Sequence, residues 1–163
     1  MAFTIRRTTA DDWEAVRALR LEALADTPIA FTERVADAEA VDEQGWRERA
    51  ARGDLPHSVS LAAIDDDGTW LGTMRGQVVD GGPMLFGVYV SPLARGTGVA
   101  DALLAGIEDW ARTEGDALTL HVNEENPRAR AFYTRAGYVP TGASVVSELF
   151  PPTRELEMVR PVR

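Results

Sequence analysis

The feature that most constrains the fold is a stretch from Val88 to Leu104, which passes from a strand signal through a glycine turn into a helix signal. The β-branched and aromatic residues at 88–90 favour a strand, and Pro92 ends it. Beyond the turn, apolar residues recur every three to four positions, as on one face of a helix: Val99, Leu103, Ile107 and Trp110. The stretch therefore predicts a strand, a turn and an amphipathic helix in direct succession.

The turn, Arg95 to Ala100, has the chemistry of an anion cradle. Amide groups in the first turn of a helix lack intrahelical partners, and the helix dipole is positive there. Gly96 and Gly98 let the backbone approach a phosphate closely, and Arg95 adds a positive charge. The P-loop pattern is absent, and Asp101 stands where the dinucleotide fingerprint needs a small residue. A phosphate-bearing ligand of another kind is predicted.

Periodicity and turn signals predict the element order β-α-α-β-β-β-α-β-α-β-β. The predicted strands lie near residues 3–6, 58–64, 70–79, 84–90, 118–122, 138–139 and 153–159, and the helices near 11–26, 42–52, 99–114 and 127–136. Residues 29–41 give no clear signal, and 141–152 are predicted to be a connection. The unit from 84 to 122 requires a right-handed parallel crossover. We therefore predict an α/β fold, with a mixed sheet covered by helices, in a single domain over residues 1–163.

Composition excludes several classes of function. The formal net charge of −9 argues against a nucleic-acid partner, because phosphate backbones need basic surfaces. The chain has no cysteine, and its two histidines stand apart, so no metal site is expected. No signal-peptide pattern and no apolar run of roughly 20 residues is present, so we expect no membrane partner and a cytoplasmic location.

Two motifs, in order, resemble those of the GNAT superfamily of N-acetyltransferases. The first is the turn itself, Arg95-x-x-Gly98-x-Ala100, preceded by Val90-x-Pro92. The second follows the apolar strand near 118–122 and reads Asn126-x-x-Ala129-x-x-Phe132-Tyr133-x-x-x-Gly137-Tyr138. Together with the element order, they make the chain similar to this family over most of its length, with a mixed central sheet in which two parallel strands splay apart.

The resemblance implies that acetyl-CoA is the co-substrate and that its pyrophosphate binds at the glycine turn. The residues expected to contact it are Val88, Tyr89, Val90, Arg95, Gly96, Thr97, Gly98, Val99, Ala100, Asn126 and Tyr133. Asn126 is equally explained as the cap of the following helix. Asp101 departs from the family pattern, and it would weaken cofactor affinity if it faced the phosphates.

The implied reaction is transfer of the acetyl group from acetyl-CoA to a primary amine of a small molecule. With no cysteine to carry the acetyl group, direct transfer in a ternary complex is favoured. By resemblance, Tyr133 is the general acid toward the CoA sulfur, and a backbone N–H between Val88 and Val90 polarises the thioester carbonyl. Tyr133 as an ordinary core residue stays open, since it lies on an apolar helix face.

The general base is not evident, because the strand at 84–90 contains no acid. Glu33 and Glu39 are the candidates, and both precede the second predicted helix. We expect a small cationic amine between the 29–46 segment and the 141–152 loop, with Phe31 and Trp46 as apolar walls or as plain packing residues. Alternatives remain: a peptide or protein amine, and a catalytically silent acyl-CoA-binding or regulatory module. A homodimer is also left open.

Overall fold

A computed structural model describes residues 2–163 and contains one seven-stranded mixed sheet. The strands are β1 Phe3–Arg7, β2 Ser58–Asp65, β3 Trp70–Val79, β4 Gly82–Val90, β5 Ala117–Asn123, β6 Val139–Val146 and β7 Arg154–Pro161. Their order across the sheet is β1-β2-β3-β4-β5-β7-β6. The predicted α/β class and mixed sheet are confirmed.

Five α-helices flank the sheet. They are α1 Trp13–Asp26, α2 Val35–Glu39, α3 Glu43–Ala50, α4 Val99–Glu114 and α5 Pro127–Arg135. A 3₁₀ turn, Ala51–Gly53, extends α3. The short α2 has no counterpart in the predicted order, because a helix of five residues is too short to show the repeat of apolar positions from which helices are predicted. Among the residues described, no helix is both long and apolar enough to cross a membrane.

The prediction of a connection over 141–152 was wrong in its first half, since β6 runs to Val146. The pairing of β6 with β7 shifts register between Pro140 and Ser144, and Gly142 has φ +92° within that shift. β6 is also an exposed edge strand, so it lacks the alternation of buried and exposed residues that marks a strand in sequence.

The geometry of β4 and β5 positions the site. They are parallel, as the crossover requires, but only Met84↔Thr119 and Leu85↔Leu120 pair between them in the described chain. Next to this point β4 is irregular, because its register against β3 shifts between Thr73 and Arg75, and Gly87 has φ +59°. Such bulges bend a strand and turn it away from its neighbour. The two strands therefore splay apart at their carboxyl ends.

Each face of the sheet has its own core. One centres on α4 and includes Leu103, Ile107 and Trp110, all buried. The other lies where α1 and α3 cover the sheet, and it includes Leu24, Trp46 and Tyr89. Val88 and Val90 of β4 pack against the first core and Tyr89 belongs to the second, so the carboxyl end of β4 lies between the two.

The packing of α4 on the sheet makes Gly76 of β3 a sensitive position. A Cβ added there would lie 2.7 Å from Cε3 of Trp110, closer than packed carbon atoms allow. We expect Gly76→Ala to lower the free energy of unfolding by about 1–3 kcal/mol, measured by urea denaturation. The matched control is Gly82→Ala, because a Cβ at Gly82 would meet nothing within 4 Å. Equal stability of the two variants would contradict this packing.

Candidate active site

The glycine turn forms an open cradle at the start of α4. Gly96 and Gly98 have φ +75° and +89°, a left-handed conformation that L side chains rarely adopt. Gly98 is the N-terminal cap of α4, and within residues 2–163 no side chain accepts a hydrogen bond from the first turn. A Cβ built on either glycine would meet nothing within 4 Å. The first-turn amides therefore face free space, which suits a phosphate group.

This cradle borders a cavity of about 490 Å³ that runs between the splayed strands and α5. All but two of the predicted cofactor residues line it: Val88, Tyr89, Val90, Arg95, Gly96, Gly98, Ala100, Asn126 and Tyr133. The side chain of Val99 is instead fully buried in the core, and the hydroxyl of Thr97 donates to the carbonyl of Ala94. Val99 therefore has only backbone groups to offer a ligand, and the proton of the Thr97 hydroxyl is already engaged.

Arg95 is less free than the sequence predicts. Its Nε donates to the carbonyl of Val90 at 3.1 Å, and its Nη2 pairs with Asp26 at 2.5 Å. Sequence reasoning missed two other arginines that line this cavity, Arg128 and Arg135, because neither lies in the turn motif. Asp101 lines it as well, so its negative charge borders the cradle.

Tyr133 and Asn126 enter the cavity from α5. The Asn126 side chain accepts a hydrogen bond from the Ala129 amide at 3.3 Å, so its predicted capping role is confirmed, and the residue also lines the cavity. Tyr133 is 5% exposed, and its ring packs edge-on against Phe132 and Tyr138. Burial raises the pKa of the Tyr133 hydroxyl, because the phenolate would lose its hydration. The hydroxyl therefore holds its proton at neutral pH.

A second cavity, of about 430 Å³, is lined by residues 84–87 of the bulged part of β4. Phe31 and Trp46 line it, and so do Val145, Val146 and Glu148, so the structure brings together the two segments between which the acceptor was predicted. A pocket for a cationic amine would be expected to carry mainly acidic side chains, but arginines predominate among the charged residues of this cavity. Four arginines line it: Arg20, Arg49, Arg52 and Arg75.

The two glutamates predicted as bases line neither cavity. Glu33 accepts hydrogen bonds from Arg20 at 2.8 Å and from Arg49 at 2.7 and 3.1 Å. Desolvation raises the pKa of Glu33, but the bonds from the two arginines outweigh it and leave that pKa lowered, which makes the carboxylate a weaker base. Glu39 is an exposed residue at the end of α2.

The two cavities meet at the bulge of β4. The residues that line both are Ala30, Leu85, Phe86, Gly87 and His121. His121 is the ionisable one, and its Nε2 lies 3.5 Å from Oε2 of its cross-strand neighbour Glu157. Sequence reasoning set His121 aside as isolated. The signal was the alternation of β5, whose buried Leu120 and Val122 place His121 on the opposite face.

The chain is similar to known acetyltransferases. Residues 17–138 match the family described as the Acetyltransferase (GNAT) family. A curated relative, the peptidyl-lysine N-acetyltransferase YjaB of Salmonella typhimurium, is 30% identical over 66% of this chain and 68% of its own length. Matches to two other curated acetyltransferases cover 45% and 29% of those proteins.

Two solved structures share the fold over nearly the whole chain. The phosphinothricin acetyltransferase of Sinorhizobium meliloti, in complex with acetyl-CoA, has a TM-score of 0.80 at 19% identity and covers 99% of this chain and 89% of its own. The PaiA N-acetyltransferase of Thermoplasma acidophilum, in complex with coenzyme A, has a TM-score of 0.78 at 18% identity and covers 99% of each chain.

Proposed function

The chain belongs to the GNAT family of acetyltransferases, and from that premise we propose that it transfers an acetyl group from acetyl-CoA directly to the primary amine of a small molecule. The observation that carries the proposal is the meeting of two cavities at Gly87 and His121. One cavity has a phosphate cradle and the other has aromatic walls. A donor and an acceptor bound in them would come into contact at this junction, which is the arrangement that direct transfer needs.

Acetyl-CoA would supply a reactive thioester, and the residues of the first cavity fit it. The left-handed glycines and the open first turn of α4 suit its pyrophosphate. Arg128 and Arg135 add positive charge in the same cavity. The splayed edge of β4 beyond Leu85 has no partner strand on its β5 side, so its amides are available to the arm of the cofactor and to the thioester carbonyl.

The chain's own residues handle the protons of the reaction. The amine nitrogen bonds to the acetyl carbon while the carbon–sulfur bond breaks. His121 accepts the proton that the amine loses, and Tyr133 gives a proton to the departing sulfur. An N–H of β4 near Val88 stabilises the negative charge that develops on the carbonyl oxygen. Because Tyr133 is protonated and lines the cofactor cavity, this set of roles supports an active enzyme over a silent acyl-CoA-binding module.

His121 is our candidate for the general base, in place of Glu33 and Glu39. We expect His121→Gln to lower turnover about 10²–10⁴-fold at neutral pH, because no side chain would then remove the proton from a lysine-like amine, whose pKa is about 10.4. The loss should shrink as pH rises and more of the amine is free. Steady-state rates over a pH series give this comparison.

The matched control for His121→Gln is Glu39→Gln, a change to the same residue at an exposed site outside both cavities. It should behave as the wild type. Equal rates for the wild type and the His121 variant at every pH would remove His121 from the mechanism. A large loss in the Glu39 variant would restore the glutamate as the base.

A second candidate substrate is a peptide lysine, favoured by the 30% identity to a peptidyl-lysine acetyltransferase. One screen distinguishes the two candidate substrates. The protein is incubated with acetyl-CoA and with small amines, free amino acids or lysine peptides in turn, and the released CoA thiol is detected. Acetylated products are then identified by mass spectrometry. We expect turnover with small amines. Turnover with lysine peptides alone would favour the second candidate, and no turnover with any amine would contradict both.

A further inference from the structure

The second cavity, which we assign to the acceptor amine, carries a concentration of positive charge in an otherwise acidic chain. Although the formal net charge is −9, four guanidinium groups line this one cavity. They come from separate elements: Arg20 of α1, Arg49 of α3, Arg52 of the following 3₁₀ turn and Arg75 of β3. A local reversal of sign in a concave site attracts ligands of the opposite charge.

The chain neutralises only part of this charge. Glu33 pairs with both Arg20 and Arg49. Arg75 donates to the amide oxygen of Gln77 at 2.7 Å, which carries no charge. The guanidinium of Arg52 has no hydrogen bond or ion pair to any residue within 2–163. Two of the four arginines, Arg52 and Arg75, therefore have no ion pair within the described residues, although Glu148 and Glu155 also line the cavity.

Arg52 and Arg75 are half-buried, so holding their positive charges without a paired anion is unfavourable. Desolvation first, and then the charges of Arg52, Arg20 and Arg49, lower the pKa of Arg75 to about 10. Desolvation, and then the charges of Arg49 and Arg20, lower the pKa of Arg52 in the same way, although the charge of Glu33 opposes them. Both groups still carry their charge at neutral pH, so like charges crowd together. An anion bound between them would relieve this repulsion.

The arginine heads are held in place for binding. Three of them stack on aromatic rings that line the same cavity: Arg20 on Phe31 at 4.6 Å, Arg49 on Trp46 at 4.7 Å and Arg75 on Phe86 at 4.7 Å. The indole N–H of Trp46 is buried and has no acceptor among the described residues. Glu148 and Glu155 line the cavity too, and their carboxylates can face an ammonium group.

We infer that the acceptor carries its own anionic group, a carboxylate or a phosphonate, which binds to Arg52 and Arg75 while its primary amine lies toward His121. The acceptor is then a small amino acid or an aminophosphonate rather than a polyamine. This inference rests on the proposed function, since it names the substrate class of the same site. Planar guanidinium groups match both kinds of anion with paired hydrogen bonds.

Matched pairs of amines test the inference by binding and by turnover. Phenylalanine is compared with phenethylamine, and 2-aminoethylphosphonate with propylamine, each titrated calorimetrically into the protein saturated with CoA. We expect the anionic member of at least one pair to bind about 10- to 100-fold more tightly, since each lost charge-assisted hydrogen bond costs about that factor. The two pairs distinguish a carboxylate from a phosphonate. Equal or weaker binding of the anionic members would overturn the inference.

The arginines are tested with Arg75→Gln and Arg52→Gln, which should reduce that preference about 10-fold or more each while CoA affinity stays unchanged. Arg75→Lys should restore part of it. The control is Arg47→Gln on α3, which removes the same charge from a residue that does not line the cavity. If the protein bound the anionic members selectively but acetylated none of the amines, the anion site would stand and the proposed function would be overturned. If it acetylated both members of each pair at equal rates, the proposed function would stand and the anion site would be overturned.

Discussion

Replacement of Gly98 by glutamate is expected to abolish measurable binding of acetyl-CoA. Gly98 has φ +89°, which costs an L residue roughly 1–2 kcal/mol. Its Cβ would point into the open space above the first turn of α4, where a phosphate would lie. The new carboxylate would then occupy this space and repel the phosphates. We expect the dissociation constant to rise by more than about 100-fold, or about 2.7 kcal/mol.

Calorimetric titration with CoA measures the effect. The matched control is Gly68→Glu in the turn between β2 and β3, because Gly68 also has a positive φ, +84°, with nothing within 4 Å of its Cβ, and lies outside both cavities. The thermal unfolding temperatures of both variants show how much stability is lost through backbone strain, separately from any loss of CoA affinity. Unchanged CoA affinity in folded Gly98→Glu protein would rule out the turn as the phosphate site.

Tyr133→Phe is expected to lower turnover about 10²–10⁴-fold with little change in the affinity for acetyl-CoA. The substitution keeps the ring that packs between Phe132 and Tyr138, and deletes the hydroxyl. Because burial raises the pKa of this hydroxyl, it stays a proton donor throughout the neutral range. Steady-state kinetics with acetyl-CoA and an amine from the screen separates kcat from KM.

Tyr138→Phe is the matched control for this prediction. Tyr138 is 1% exposed, its hydroxyl has no partner among the described residues, and it lines neither cavity. Loss of its hydroxyl should leave turnover near the wild-type value. A Tyr133→Phe enzyme that turned over at the wild-type rate would make Tyr133 a packing residue.

The cofactor side of the site was readable from sequence because its determinants are local. A glycine turn between a strand and a helix has few conformations, and Gly96 and Gly98 adopt the positive φ values that such a turn requires. The cap at Asn126 and the burial of Tyr133 follow from the same short-range rules. The fold was predictable as well, because a crossover between parallel strands such as β4 and β5 is almost always right-handed.

The acceptor side was not readable, because its determinants come from distant parts of the chain. Arg20, Arg52 and Arg75 are spread over 55 residues, and they meet only when α1, the 3₁₀ turn after α3 and β3 come together in the fold. Glu33 looked like a base in sequence, yet its pairing with Arg20 and Arg49 depends on the same packing. His121 gains a candidate role only where the splay of β4 and β5 joins two cavities.

The proposed reaction passes the acetyl group directly between substrates held in the two cavities. We would measure a matrix of initial rates in which the concentrations of acetyl-CoA and of an acceptor amine from the screen are both varied. Direct transfer predicts double-reciprocal lines that intersect, with no acetylated protein by intact mass after incubation with acetyl-CoA alone. Parallel lines, together with a protein that gains one acetyl group and passes it to the amine, would contradict the account.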